Sequence, residues 1–312
     1  MTVDPGKIVE INSRSLEANA SEIQEPWTIQ KILTWSAAWL KEKGSDKDSS
    51  SPRLEVELLL AHVLGCDRMQ LFLQLDKPIQ KEERDAYKNA LKRRVSGEPV
   101  AYILGYRDFF RNRFTVDKSV LVPRPDTEIL VEQTLSILEF CPAGRVLEVG
   151  TGSGCIAISL GLGMPNISVE AWDISEAALS VANMNAENLH CRNVNFAMRD
   201  VFSVDDCGER FNVIVSNPPY VPSGEKSSLS VSVEAYEPHV ALFGKGEDGL
   251  GFYRLLAQRA KDWLISGGTL LVECGHDQAE QVHAIFHASG LIQLTITKDL
   301  SGIPRVVSGR LL

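Results

Sequence analysis

Two different periodicities of hydrophobic and polar residues follow each other along the chain. Between residues 28 and 94, apolar side chains recur every three or four positions, which predicts amphipathic helices. Thr28 and Ser51 are suited to begin helices, and Gly44 and Gly65 to end them. Two further helices are predicted at residues 68–74 and 80–94. The pattern therefore predicts a small all-helical domain over residues 26–96.

Beyond residue 145, short apolar strands alternate with helices. Because alternating strands and helices form parallel sheets covered on both faces, we predict an α/β fold with a doubly wound, Rossmann-like sheet. The last two strands follow each other without a helix, so they form a hairpin that adds an antiparallel strand at or near one edge. Strands are predicted at residues 145–148, 168–174, 193–198, 211–216, 269–274, 291–297 and 305–311, and helices at 153–161, 176–189, 250–264 and 277–289.

Two segments flank these domains. Residues 1–25 contain no aromatic residue, five acids and two bases, which predicts a poorly ordered or variable extension. Residues 97–125 alternate bulky and charged side chains around Asn112, which predicts a hairpin linker. Pro123 and Pro125 disfavour helix before Asp126, so the α/β domain is predicted over residues 126–312.

Composition and charge exclude several classes of protein. The 312 residues carry 32 Lys and Arg against 41 Asp and Glu, a net charge of −9, so we expect no direct contact with nucleic acid over a wide surface. No apolar run approaches the roughly 18–20 residues that span a bilayer, and the first residues lack a secretory pattern. The six cysteines show no metal-ligand spacing. We expect a cytoplasmic, globular monomer with no metal and no membrane contact.

A glycine-rich loop follows the first strand of the predicted sheet. It consists of Glu148, Gly150, Thr151, Gly152, Ser153 and Gly154, and Asp173 ends the second strand. Glycines let the backbone turn sharply and let a ligand approach it, and a carboxylate at the position of Asp173 can accept the hydroxyl protons of a ribose. The loop lacks the G-x-G-x-x-G spacing of pyrophosphate binders and the Lys-Ser/Thr of a P-loop. It favours S-adenosylmethionine, the alternative being a tight turn without a ligand.

The fourth strand of the sheet runs directly into Asn217, Pro218, Pro219 and Tyr220. The side-chain oxygen of Asn217 and the backbone carbonyl of Pro218 are two hydrogen-bond acceptors, which Pro219 holds at a fixed separation. Two acceptors beside the flat ring of Tyr220 suit a planar amino group, one acceptor for each hydrogen. The alternative is a double proline that only ends a strand.

These motifs resemble those of class I methyltransferases that modify planar amino groups. Six further segments resemble more specifically the release-factor glutamine methyltransferases, the HemK/PrmC family. The likeness extends from about residue 28 to residue 312. The six segments are EPVAYILG (98–105), VPRPDTE (122–128), YEP (236–238), AL (241–242), DGL (248–250) and RV (305–306).

The resemblance implies a protein glutamine N5-methyltransferase. Such an enzyme transfers a methyl group from S-adenosylmethionine, without a metal, to the glutamine of the Gly-Gly-Gln (GGQ) motif in class 1 peptide-chain release factors, and leaves S-adenosylhomocysteine. The helical domain would bind the release factor. By position, Glu148 and residues 150–154 would line the cofactor together with Asn217, and Asp173 would bind its ribose. Asp200 and Val201 would flank the adenine. Some relatives would carry a larger, aromatic residue at the position of Val201, so the wall beside the adenine would be thinner here.

The resemblance also implies the positions of the catalytic residues. Asn217 and Pro218 would accept the two amide hydrogens of the substrate, Pro219 would fix their separation, and Tyr220 would pack against the glutamine. Arg124, Thr127 and Glu128 would shape the methionine end of the cofactor. Glu148 and Glu237 are predicted to form structural hydrogen bonds rather than to act as a general base.

Two alternatives share part of this evidence. A nucleic-acid amino-methyltransferase acting on adenine N6 or guanine N2 would carry the same cofactor residues and the same Asn-Pro-Pro-Tyr sequence. The negative net charge and the absence of a recognisable target-recognition insert disfavour it. A cofactor-binding protein without catalysis, which uses its helical domain for interaction, is the other alternative.

Overall fold

The computed structural model describes residues 26–45 and 51–312, and the predicted extension over residues 1–25 lies outside them. The N-terminal part is helical, as predicted. Ile29, Leu33, Leu59 and Tyr87 form part of its core, and the Tyr87 hydroxyl is 2.8 Å from that of Ser36. The described helices of this part are α1 (Ile29–Lys43), α2 (Pro52–Leu64), α3 (Arg68–Phe72), α4 (Lys81–Val95) and α5 (Val100–Leu104).

The predicted helix ends carry the expected caps. The Thr28 hydroxyl accepts the backbone N–H of Lys31, and Ser51 accepts that of Leu54. Gly65 ends α2 with a left-handed backbone at φ 64°, a conformation that side chains disfavour. Helix α5 was not predicted. It begins after Pro99 within the interval 97–125, and its residue Ile103 packs into the same helical core.

A short hairpin links the helical part to the sheet. It consists of β1 (Tyr106–Phe109) and β2 (Asn112–Thr115). Its turn is formed by Phe110 and Arg111, both with positive φ angles (43° and 69°), whereas the sequence pattern centred the hairpin on Asn112. A 3₁₀ turn (Pro125–Thr127) then leads into helix α6 (Glu128–Leu138), which begins after the two prolines that disfavour helix before Asp126.

The main sheet has seven strands in the order β5-β4-β3-β6-β7-β9-β8. Strands β3 to β7 are parallel to each other, and β9 is antiparallel to both of its neighbours. The predicted doubly wound sheet and its C-terminal hairpin are therefore confirmed. The strands are β3 (Arg145–Val149), β4 (Ser168–Asp173), β5 (Val194–Met198), β6 (Phe211–Ser216), β7 (Leu264–Glu273), β8 (Ile292–Lys298) and β9 (Pro304–Arg310).

Helices cover both faces of this sheet. On one face α6, α7 (Cys155–Gly163) and α8 (Glu176–Asn188) bury a core with the apolar side chains of β3 and β4. On the other face α10 (Gly251–Trp263) and α11 (Ala279–Ala288) pack around Trp172 and Trp263, whose rings meet edge to face at 5.4 Å. A short helix, α9 (Val231–Tyr236), lies in the connection between β6 and α10 and was not predicted.

Strand β7 starts earlier than the sequence indicates. The pattern predicts a strand from residue 269, whereas β7 follows Trp263 directly at Leu264. The Gly267-Gly268 pair reads as a turn, but Leu264 already pairs with Phe211 of β6, and the register shifts before Thr269. The glycines therefore lie in a β irregularity inside a strand, which is a common use of glycine in sheets.

The strand order sets the position of the site. Strand β3 pairs on one side with β4, its successor in the chain, and on the other with β6. The order therefore reverses at β3. In open α/β sheets, ligands bind in the crevice at the carboxyl ends of the strands at such a reversal.

Candidate active site

A cavity of about 410 Å³ lies at the carboxyl ends of β3 to β6. Seven of the predicted site residues line it: Gly150, Gly152, Asp173, Asp200, Val201, Asn217 and Pro219. The other predicted residues do not line this cavity and are buried or half-buried next to its wall. They are Glu148, Thr151, Ser153, Gly154, Pro218 and Tyr220.

The glycine loop adopts a backbone that only glycine takes easily. Gly150, Gly152 and Gly154 have φ angles of 78°, 56° and 80°. A Cβ atom on Gly154 would lie 2.9 Å from the side chain of Ile158 and 3.2 Å from Ala182, so this glycine also lets α7 and α8 pack closely. The loop presents its backbone to the cavity at Gly150 and Gly152.

Glu148 holds this loop from inside the protein. Its Oε2 accepts hydrogen bonds from the Thr151 hydroxyl at 2.6 Å and from the backbone N–H of Ala157 at 3.0 Å. Burial raises the pKa of Glu148 to about 7, against the effect of these two donors. Glu148 therefore ties the loop to the first turn of α7.

Asp173, the last residue of β4, is oriented by two backbone groups. One carboxylate oxygen accepts the N–H of Gly152 at 2.8 Å, and the other accepts the N–H of Ser175 at 2.9 Å. A carboxylate oxygen has room for more than one hydrogen bond, so both oxygens can still accept from a ligand in the cavity. The carboxylate thus faces the cavity in a fixed orientation.

The loop after β5 contributes an aromatic residue that the sequence analysis did not single out. Asp200 accepts the N–H of Phe202 at 3.0 Å and the hydroxyl of Ser203 at 2.9 Å, which fixes this turn. Val201 lines the cavity but is also buried in the core. The Phe202 ring lies next to it, edge to face with Phe252 at 4.9 Å. The two phenylalanines line the cavity beside Val201.

Asn217 follows β6 at the bottom of the cavity. Its side-chain nitrogen Nδ2 donates to the hydroxyl of Thr127 at 3.2 Å. Tyr220 is mostly buried, which raises its pKa to about 12, and its backbone carbonyl accepts the side-chain amide of Gln278 at 3.0 Å. Gln278 was also missed, because its contact to Tyr220 spans 58 residues of sequence.

Two segments that line the cavity are joined by Glu237. One segment is residues 119–121, and the other lies within residues 238–245. Glu237 lies between them, accepting the N–H of Val122 at 3.3 Å and pairing with Arg124 at 2.6 Å. Burial raises the pKa of Glu237, and Arg124 partly offsets this.

The three residues expected at the methionine end of the cofactor have other partners. Arg124 pairs with Glu237, Thr127 bonds Asn217, and Glu128 accepts the N–H of Phe110 at 3.1 Å. None of the three lines the cavity. Their interactions join the segment around the Pro125–Thr127 turn to the walls and to the bottom of the site.

Among residues 26–45 and 51–312 there is no cluster of three or more side chains that could ligate a metal ion. In the same part of the chain, no helix is long and apolar enough to cross a membrane.

Comparisons with known proteins agree with this architecture. The family profile described as PrmC N-terminal domain matches residues 31–105, and the one described as Methyltransferase small domain matches residues 125–235. The latter covers the glycine loop and the Asn-Pro-Pro-Tyr sequence. A structure of the hMettl16 catalytic domain in complex with MAT2A 3'UTR hairpin 6 shares the fold, with a TM-score of 0.51 and 14% identity over 64% of this chain and 75% of that one.

Two curated relatives align over nearly their whole length. The release factor glutamine methyltransferase of Geobacter sulfurreducens is 42% identical over 93% of this chain and 99% of its own. That of Neisseria gonorrhoeae is 43% identical over 84% of this chain and 94% of its own. The two family profiles also match in succession along the chain. At this identity and coverage, the chain belongs to the family of release factor glutamine methyltransferases.

Proposed function

We propose that this protein transfers a methyl group from S-adenosylmethionine to the side-chain amide nitrogen of the glutamine in the GGQ motif of class 1 release factors. One observation supports the chemistry above others. Asn217 lines the cavity, and its nitrogen is engaged by Thr127, which leaves its side-chain oxygen to accept a hydrogen bond. The names of the relatives supply the substrate.

The residues of the cavity fit the cofactor. The volume of about 410 Å³ lies within the range of roughly 300–1,000 Å³ that small-molecule sites occupy. We propose that the oriented carboxylate of Asp173 accepts the ribose hydroxyls and that Gly150 and Gly152 approach the ligand through their backbone. Phe202 and Phe252 provide an apolar, aromatic surface beside Val201 for the adenine ring. When bound, S-adenosylmethionine supplies an electrophilic methyl group.

The chain itself orients the weak nucleophile. A primary amide nitrogen has a delocalised lone pair, so its reactivity depends on its direction toward the methyl carbon. We propose that Asn217 Oδ1 and the Pro218 carbonyl each accept one hydrogen of the substrate amide, because Pro219 has no N–H and fixes the backbone between them. Holding the nitrogen in line with the methyl group converts a slow encounter into an intramolecular step.

A second cavity supports a route for the release factor. It has a volume of about 550 Å³ and is lined by residues of α2, α4 and α5, by β1 of the hairpin, by residues 122–125 and by Ser232. Arg107 and Arg124 are part of its lining, as are apolar side chains such as Leu54. We propose that the helical residues 26–96 bind the release factor and that residues 97–125 link them to the catalytic residues 126–312.

Methyl transfer from labelled S-adenosylmethionine to a purified release factor tests this function. The matched control is the same release factor with its GGQ glutamine changed to alanine, and bare RNA and DNA are separate samples. We expect label on the intact release factor only. Label on nucleic acid would instead support the amino-methyltransferase alternative, and cofactor binding without any labelled product would support a non-catalytic role.

A further inference from the structure

Asn217 and Glu273 lie side by side at the carboxyl ends of the neighbouring strands β6 and β7. Ser216, the last residue of β6, pairs with Val272 of β7, so Asn217 and Glu273 follow as neighbours across the two parallel strands. Glu273 is only 2% exposed, and its backbone carbonyl accepts the Tyr253 hydroxyl at 3.1 Å. Its carboxyl oxygen Oε2 is buried and has no hydrogen-bond partner among the described residues.

Thr127 lies against the same pair. Its side chain is buried, and its hydroxyl oxygen accepts from Asn217 Nδ2 at 3.2 Å. The turn that carries it is attached to β9, because the preceding Asp126 pairs with Arg305 at 2.8 Å. Arg305 in turn pairs with Asp299 at 2.9 Å. The turn that carries Thr127 is therefore anchored to β9.

These contacts determine the orientation of the Asn217 side chain. An asparagine amide has two N–H donors on one side and an acceptor oxygen on the other, and the hydrogen-bond network decides which faces which partner. The Thr127 hydroxyl oxygen accepts from Nδ2 at 3.2 Å. Burial raises the pKa of the Glu273 carboxyl, and hydrogen bonding from both Thr127 and Asn217 acts to lower it. With the hydroxyl proton of Thr127 directed at Glu273, a flipped amide would place its oxygen against the oxygens of Thr127 and Glu273 and leave them without the Nδ2 donor.

The charges around Glu273 support this arrangement. Burial raises the pKa of Glu273 to about 7, while hydrogen bonding from Thr127, the charge of Arg305 and hydrogen bonding from Asn217 act in the opposite direction. A buried carboxyl of this kind is costly unless neighbouring groups interact with it. The Glu273 carboxyl is therefore placed to fix the side chains of Thr127 and Asn217 through its interactions with them.

We propose that Glu273 is a positioning residue, which acts with Thr127 to hold the Asn217 amide with its oxygen toward the cavity. Its effect on turnover rests on the proposed function, because the oxygen it orients is the acceptor for the substrate amide. Catalytic groups must keep their geometry within about 0.5 Å, and the residues behind them supply that restraint.

Thr127→Val is the first test, since it removes the hydroxyl and keeps the shape of the side chain. We expect kcat for release-factor methylation to fall about tenfold, with the Kd for S-adenosylmethionine changed less than twofold. Thr127→Ser should restore most of the turnover. The matched control is Thr134→Val, because Thr134 is also buried and bonds only the Leu130 carbonyl of its own helix.

Glu273→Gln, alone and combined with Thr127→Val, tests whether the two residues act together. We expect the double variant to lose no more turnover than the more damaged single variant, because both changes release the same amide. Losses that multiply would overturn the proposal, as would wild-type kcat in Thr127→Val.

A readout without substrate separates this proposal from the proposed function. The side-chain amide hydrogens of Asn217 are measured by NMR in ¹⁵N-labelled protein and assigned through their loss in Asn217→Asp. We expect slow exchange with solvent in the wild type and at least tenfold faster exchange in Thr127→Val. If the wild type failed to methylate the release factor but the exchange rates differed in this way, only the function would be contradicted. Equal exchange rates would overturn the positioning role.

Discussion

Replacing Asp173 with alanine tests the cofactor site most directly. In the structure its two carboxylate oxygens each accept one backbone N–H, from Gly152 and Ser175, and the carboxylate borders the cavity. The substitution removes the acceptors for the ribose hydroxyls and frees the glycine loop from one of its contacts. Both effects weaken binding of the cofactor, and neither changes the sheet beneath it.

The size of the effect follows from the kind of bond that is lost. A hydrogen bond to a charged group contributes about 1.5–3 kcal/mol, so its loss raises the Kd about 10- to 150-fold. The N–H groups of Gly152 and Ser175 lie at the edge of the cavity and can bind water in the variant, so we expect the fold to remain intact.

Isothermal titration with S-adenosylmethionine and S-adenosylhomocysteine measures the two dissociation constants. Asp206→Ala is a matched control, because the Asp206 carboxylate also accepts a backbone N–H two residues ahead, at Gly208, but is exposed and outside the cavity. We expect the control to bind as the wild type does. A Kd for Asp173→Ala within twofold of the wild type would refute the ribose assignment.

Three further predictions concern the substrate, the adenine and the buried acid. Asn217→Ala should lower kcat at least about 100-fold with little change in cofactor Kd, since it removes an acceptor for the target amide; steady-state kinetics and titration measure both. Phe202→Ala should raise the cofactor Kd about fivefold or more, because base stacking on an aromatic ring contributes about 1–3 kcal/mol, whereas Phe140→Ala, at an exposed position, should not. The pKa of Glu148 is raised from its ordinary value to about 7, so the folded state binds more protons than the unfolded state between about pH 4.5 and 7. The free energy of unfolding should therefore fall as the pH rises through this range, and urea titrations should show a smaller fall in Glu148→Gln.

The parts of the fold that depend on neighbours in the sequence could be predicted. Thr28 and Ser51 cap helices through a backbone N–H three residues ahead, so the signal and its effect lie in one turn. The strands of the parallel sheet are short, mostly apolar segments that alternate with helices, and this alternation is recognisable without knowledge of their partners. The same holds for the glycine loop, whose three positive φ angles require glycine locally.

Contacts between distant residues could not be predicted in this way. The hairpin turn at Phe110 and Arg111 lacks the Asn-Gly or Gly-Gly sequence typical of two-residue turns. The prediction was therefore centred on the nearby Asn112, a residue type that is common in turns. The strained turn is held from outside, since Glu128 accepts the N–H of Phe110 across 18 residues. Likewise, Thr127 contacts Asn217 across 90 residues of sequence. Neither the segment 122–128 nor the Asn-Pro-Pro-Tyr sequence indicates on its own that the two lie side by side.

We propose that the buried acids around the site position other groups and that the enzyme works without a dedicated base. Glu148 holds the glycine loop, Glu237 joins two segments that line the cavity, and Glu273 lies beside Asn217; none of the three lines the cavity. An amide nitrogen that attacks an activated methyl group becomes a strong acid once the new bond has formed, so it can lose its proton to water. The demanding part of the reaction is the direction of the lone pair before the bond forms. Buried acids that fix loops and side chains affect the direction of the lone pair before the bond forms. A base would act only on the proton that is lost after the bond has formed.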